Sequence, residues 1–330
     1  MIVRRRELLH GGLAAGAAAL AGRWETRAVA QSRTRVVVVK AEDRRDGVHR
    51  ALRLLGADGF GRKHVVVKPN FNSADPFPGS THAETLDALV DWLGTAGAGR
   101  VTVADRSGMG DTRQVMEAKG VFAQGRKRGF APVVLDELAA RDWVAHPLPG
   151  GHWRRGVLFP RLLEEAEAIV STCCLKTHRF GGHVTLSLKN SVGAVAKYGP
   201  DGYNYMSELH GSASQRRMIA ELNLLYRPAV VLMDALEAFT DGGPERGTRV
   251  APGVVVAGTD RVAVDAVGVA ILRLYGTTPA VSRGRIFEQE QLARAAEVGV
   301  GVASPDQIDL ASDDRAGEAF LSRVRPILLA

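Results

Sequence analysis

The hydrophobic residues of this chain fall into short β-branched runs separated by stretches of helical spacing. Residues 34–40 (TRVVVVK) are the clearest run, and an unbroken run of that kind predicts a strand covered on both faces. Residues 64–68, 100–105, 131–136, 168–172, 229–236 and 253–258 repeat the signal. Between them apolar positions recur every three or four residues. Val48, Leu52 and Leu55 do so within 46–55, Leu86, Leu89, Val90 and Leu93 within 81–96, and a further helix follows over 260–274. Asp111 caps a helix that runs to about residue 128 with a break at Gly120. Residues 185–197 and 214–226 read as helices, 162–166 as a short one, and 198–211 as a loop rich in Gly and Tyr. Residues 138–160 have no clear period and predict an irregular excursion with one short hairpin. The tail gives a helix over 288–298, a short strand near Ile308 and a last helix from about Gly317.

Strands alternating with helices predict an α/β fold, a mainly parallel and doubly wound sheet flanked by helices. In such open sheets ligands bind beyond the carboxyl ends of the strands. Four predicted strands end in polar pairs: Lys68 with Asn70, Asp105 with Ser107, Lys176 with His178, and Asp234 with Glu237. Any one pair is what a cap or loop supplies. Four at one end of a sheet point to a site.

Composition sharpens one stretch. Of 43 basic residues only 8 are Lys, and none follows Lys197. Three of the eight, Lys176, Lys189 and Lys197, fall within residues 173–197, together with His178 and His183. Arg is a rigid fork, whereas Lys is a point charge whose pKa moves readily on burial. As a helix, 185–197 sets Thr185 beside Lys189 and Asn190 in line with Lys197, and Gly193 admits a close backbone approach. Val192, Ala194, Val195 and Ala196 make the surroundings of Lys189 apolar, so its charge requires an anionic partner. That partner is Asp234, Glu237, or a bound phosphate or carboxylate. A helix start near Val184 presents free N–H groups to the same space. The pocket so predicted binds a small anion through Lys68, Asn70, Asp105, Ser107, Lys176, Lys189, Asn190, Lys197 and His210. His178, Asp234 and Glu237 are its candidate acid–base groups.

Three functional readings follow. One is an enzyme acting on a small anionic molecule. Another is a periplasmic binding or accessory protein that uses the same basic pocket without chemistry. The third is a metal-dependent redox or isomerising enzyme, with His178, His183 and His210 and either Asp105 or Asp234 as ligands, although their spacing matches no zinc motif.

Residues 1–30 do not belong to this pattern. Arg4-Arg5-Arg6 and Leu8-Leu9 precede an Ala/Gly/Leu segment too short to span a bilayer, and Ala28-Val29-Ala30 is a small-x-small cleavage site. The segment resembles a twin-arginine export signal, with an ordinary secretory signal or an uncleaved anchor as alternatives. It predicts a periplasmic or otherwise exported protein, handled by the twin-arginine translocase. One α/β domain then occupies residues 31–330, with no stable membrane span after cleavage. Five Arg and two Glu lie before Gln31, so of the overall +7 the exported part carries +4. That charge is mild and scattered, without the basic stripe a nucleic-acid binder shows. The two cysteines, Cys173 and Cys174, are adjacent. They hold no distant segments together and are too few for an iron–sulfur cluster. They read as small apolar strand residues or as a strained vicinal disulfide. No cofactor is assigned.

Lys68-Pro69-Asn70, Leu175-Lys176-Thr177-His178, Lys189-Asn190, Lys197, His210, Asp234, Glu237 and Gly243-Pro244, with Asp260 and Asp265 beyond, resemble the family catalogued as domain of unknown function 362. The resemblance covers roughly residues 65–275. It implies no particular reaction, because the family's activity is not established. Some members carry ferredoxin-type cysteines and are labelled iron–sulfur centre proteins; this chain has no such cysteines.

Overall fold

Alternate side chains of strand β1 (Thr34–Lys40) leave on opposite sides, as a period of two requires. Val36 and Val38 enter one core, Val37 and Val39 the other. The computed structural model describes residues 33–330, so the segment expected to be an export signal lies outside the described residues. β2 (His64–Lys68), β3 (Arg100–Asp105) and β4 (Ala131–Val134) follow, then an antiparallel pair, β5 (Trp143–His146) and β6 (Val157–Pro160). Next come β7 (Ala168–His178), β8 (His183–Thr185), β9 (Val230–Gly242), β10 (Gly247–Val250), β11 (Val254–Gly258) and β12 (Ile308–Ala311).

Among the described residues ten strands share one sheet, ordered β12-β1-β11-β9-β7-β2-β3-β4, with β8 on β7 and β10 on β9. β11 runs antiparallel to β1 and β9, while the other neighbours along this order are parallel. The sheet is therefore mixed but mainly parallel. One face is covered by helices Arg44–Leu55 and Ala83–Thr95 and by Val115, Met116 and Val121. The other is covered by helices Arg261–Leu274, Glu290–Glu297 and Arg315–Leu329. From β2 the chain steps outward to β3 and β4; from β7 it steps the other way to β9. The strand order turns back between β2 and β7, the position where open α/β sheets form a ligand crevice.

The helix boundaries follow local chemistry. Asp43 accepts from Asp46 N (2.7 Å) and Asp111 from Gln114 N (2.9 Å) at two N-caps. Gly120 separates helices Thr112–Ala118 and Val121–Arg128, as the sequence predicts.

Four expectations need correction. Residues 185–197 do not form one helix: Thr185 closes β8, Ser187–Asn190 makes a single α-turn, Ser191–Ala194 is a 3₁₀ turn, and Val195 is extended. Gly and β-branched residues weaken a helix here, and tertiary bonds hold the tighter path. Residues 198–211 are not all loop, because Asn204 caps a helix over Tyr205–Gly211 that carries His210. β7 extends past residue 172 to His178 and is buried along all 11 residues. β9 continues through Asp234 and Glu237 to Gly242, so these two carboxylates lie within a strand and not at its end. Cys173 and Cys174 are both free thiols, buried in β7.

Candidate functional site

Lys68 closes β2 and is fully buried. Its ammonium lies 2.5 Å from Asp105 Oδ1 at the end of β3 and donates to Pro69 O (2.8 Å) and Asn190 Oδ1 (3.3 Å). Those contacts use all three donors. Asp105 also accepts from Phe71 N (2.6 Å) and Arg106 N (2.7 Å). Burial lowers the Lys68 pKa and raises that of Asp105, and their mutual attraction opposes both shifts. Asn190 Nδ2 donates to Lys68 O (3.2 Å) and Ser171 Oγ (3.0 Å), pinning the turn after β8 to strands β2 and β7. A side chain at Gly193 would place Cβ 2.8 Å from both Lys68 Nζ and Asp105 Oδ1, so only glycine lets this backbone lie on the ion pair.

Above the pair is a small pocket of about 150 Å³ at the carboxyl ends of β2, β3 and β7. Seven of the predicted residues line it: Lys68, Asn70, Asp105, His178, Lys189, Asn190 and His210. Lys189 is half-buried, and its Nζ has neither a hydrogen bond nor a carboxylate within reach among the described residues. Burial first, then the charges of Lys176 and Arg106, pull its pKa down to about 7. His178 is buried; desolvation and then Lys189 hold its pKa well below the ordinary imidazole range, so the ring is neutral. His210 Nδ1 lies 2.7 Å from Met206 O and so carries the proton, leaving Nε2 as an acceptor. Burial lowers its pKa also. A Cβ on Gly182 would sit 2.9 Å from both His178 Nδ1 and Lys189 Cε, so the two side chains converge on a bare backbone.

Arg106 contributes a charge that the sequence patterns missed. It is buried, donates to Val195 O (2.7 Å), Ser107 O (3.1 Å) and Val192 O, and meets Met206 Sδ (3.2 Å). It thereby holds residues 192–195 over the pocket. In a chain with 35 Arg, one more at a strand end carries no signal. Asn72, Thr185 and Met206 are also part of the wall. Four buried atoms of this wall have no hydrogen-bond partner among the described residues: Asn70 Oδ1, Asn72 Nδ2, His178 Nδ1 and Thr185 Oγ1. Buried polar atoms are normally paired, so such a cluster marks a surface built to receive polar groups.

Five predicted residues stand elsewhere. Lys176 is buried and donates to Gly79 O beneath the loop after β2; it acts on the pocket through its charge. Ser107 donates to Phe71 O (2.7 Å) and supports that loop. Lys197 pairs with Asp136 (2.9 Å) at a separate surface cleft. Asp234 lies away from the pocket, beneath helices Arg44–Leu55 and Ala83–Thr95, where it accepts from Arg44 (2.8 Å) and Thr85 (2.5 Å). Glu237 pairs with Arg249 (3.1 Å) in the open. Neither carboxylate neutralises Lys189. The first N–H groups of the Ser187–Asn190 turn are not free either, since Asp265 accepts from Ser187 N (2.8 Å) and Leu188 N (2.9 Å). His183 does not line the pocket, and among the described residues no three His, Cys, Asp or Glu side chains gather as a metal ion requires.

A family model described as Domain of unknown function (DUF362) matches residues 65–270, which include all of this wall. No curated protein matches the chain. Among solved structures it is similar to the lactate racemase apoprotein from Thermoanaerobacterium thermosaccharolyticum, at 19% identity and a TM-score of 0.42, over 62% of this chain and 50% of that one. It is also similar to a protein from Thermotoga maritima, at 12% identity and a TM-score of 0.37, over 66% of this chain and 54% of that one. The chain thus spans about half the length of the structures it matches.

Proposed function

The chain belongs to the family Domain of unknown function (DUF362), and we propose that this member is an exported enzyme that binds a small carboxylate- or phosphate-bearing molecule and moves a proton on it. Lys189 carries this assignment: a lysine facing a pocket with free donors and no protein anion. The pocket's one carboxylate, Asp105, is committed to Lys68. Arg106 adds a second buried cation, and a bound anion would satisfy both charges. Unbound Lys189, at about 7, is the group that exchanges a proton near neutral pH. His178, held neutral with Nδ1 unpartnered, offers the ligand a hydrogen-bonding ring nitrogen.

Titration calorimetry with phosphate, acetate and lactate tests the assignment. Binding of at least one of these anions to the parent is expected. Lys189→Met should weaken it by about 1.5–3 kcal/mol, the scale of a charge-assisted hydrogen bond. Equal affinity in parent and variant would remove Lys189 from the site. Export is supported by the Arg5-Arg6 pair and the Ala28-Val29-Ala30 site. Replacing Arg5 and Arg6 together by Lys should retain the protein in the cytoplasm, and unchanged export would exclude the twin-arginine route.

A further inference from the structure

We infer that the Lys189 amine captures the carbonyl carbon of a small 2-oxo acid as an imine. The inference rests on the anion-binding reading above and adds a covalent step to it. The stem of Lys189 is packed on Gly182, which fixes where the nitrogen enters the pocket. Among the described residues the charges that bear on it are those of two cations, Lys176 and Arg106. Clustered cations favour a bound anion; by expelling the Lys189 proton they also favour a nucleophile, because only the unprotonated amine attacks. With its pKa brought to about 7, a large share of the amine is free base at neutral pH.

The rest of the wall suits the same ligand. The carboxylate of a 2-oxo acid meets the Arg106 charge, and Thr185 Oγ1 and Asn72 Nδ2 offer unpartnered groups to its oxygens. His178, neutral and packed against the same glycine as Lys189, offers its ring nitrogen to the ligand as a hydrogen-bond partner. A pocket of about 150 Å³ limits the acid to a few carbons.

The step balances without a redox partner. The Nζ lone pair attacks the carbonyl carbon; a C–N bond forms and the C=O π pair moves to oxygen. Oxygen gains a proton and nitrogen loses one, giving a neutral carbinolamine. A second proton, from solvent, lets the hydroxyl leave as water while the nitrogen lone pair closes C=N. Amine, ketone and one proton give a protonated imine and water.

Reductive trapping tests this. The purified chain is incubated with pyruvate and cyanoborohydride at neutral pH, then analysed by intact mass and peptide mapping. The expected result is one reduced pyruvyl group, on Lys189 and on none of the other seven lysines. Excess lactate, an anion without a carbonyl, should suppress the labelling, and Lys189→Arg should abolish it. Label spread evenly over the lysines overturns the imine. So does the absence of label at Lys189 while lactate or phosphate still raises the melting temperature; that outcome leaves the anion site standing. No label and no stabilisation by any anion overturns both.

Discussion

At the scale of single residues, the pocket joins two lysines that bear opposite relations to their surroundings. Lys68 is saturated by Asp105 and two oxygen acceptors, so it is part of the frame. Removing one member of a buried pair strands the other, at a cost of about 3–5 kcal/mol. Asp105→Asn should therefore lower stability by that order in a urea melt, whereas a loss under about 1 kcal/mol would show the pair to be dispensable. Lys189 has no partner among the described residues, and its pKa lies near 7 folded against 10.5 unfolded. The unfolded chain then binds more protons between those values, so this residue makes stability rise with pH from about 7 to 10.5. Below 7 the penalty is fully present. Lys189→Met should stabilise the ligand-free protein by about 1–3 kcal/mol at pH 6, less than full desolvation implies because the amine opens onto the pocket. The difference should vanish near pH 10.5. A variant less stable than the parent at pH 6 would mean that Lys189 has a carboxylate partner after all. The scarcity of lysine made Lys189 legible in the sequence, and a place beside Asn70 at a strand end made Lys68 so. Arg106 was not, because Arg is the default cation of this chain.

At the scale of elements, strand runs were read closely because a fully buried strand has a plain signature in Val and Ile. β1, β2 and β3 begin and end where their apolar runs do. The failures share a cause: partners distant in sequence. Residues 185–197 carry enough helical spacing to predict one helix. Instead Asp265, 77 residues on, takes the N–H groups of Ser187 and Leu188, while Asn190 bonds back to Lys68 and Ser171. Gly193 then lies flat on the Lys68–Asp105 pair. β9 outruns its predicted end because β10 returns along it, so Asp234 and Glu237 lie within the strand and outside the pocket. Gly193→Ala would push a methyl into Lys68 Nζ, Asp105 Oδ1 and Arg106 O. A destabilisation of about 2 kcal/mol or more is expected, the scale of overpacking at a rigid site. The variant should also lose affinity for anions, since the turn carrying Lys189 must lift. Unchanged melting and binding would mean that the ion pair can give way.

At the scale of the whole molecule, β7 is the strand on which the rest depends. β2 lies on one side of it and β9 on the other, and its side chains reach several cores: Cys173 and Leu175 in one, Val170 in the one opposite. Its last residue, His178, lines the pocket. The two thiols mid-strand are 1% and 0% exposed. Burial raises both pKa values, that of Cys174 to about 11, so at neutral pH neither is a thiolate. Alkylation of either therefore requires the sheet to open around its central strand. Iodoacetamide labelling at neutral pH should then be slow, and when opening equilibrates faster than labelling its rate should give the free energy found in denaturant melts. A ligand that binds only the folded pocket should slow labelling by the factor 1 + [L]/Kd. Parent protein with saturating lactate or phosphate should show that protection, and Lys189→Met should lose most of it. Fast labelling of the native protein, independent of denaturant, would mean that β7 opens locally. The pocket would then stand on a strand that moves apart from the rest of the sheet.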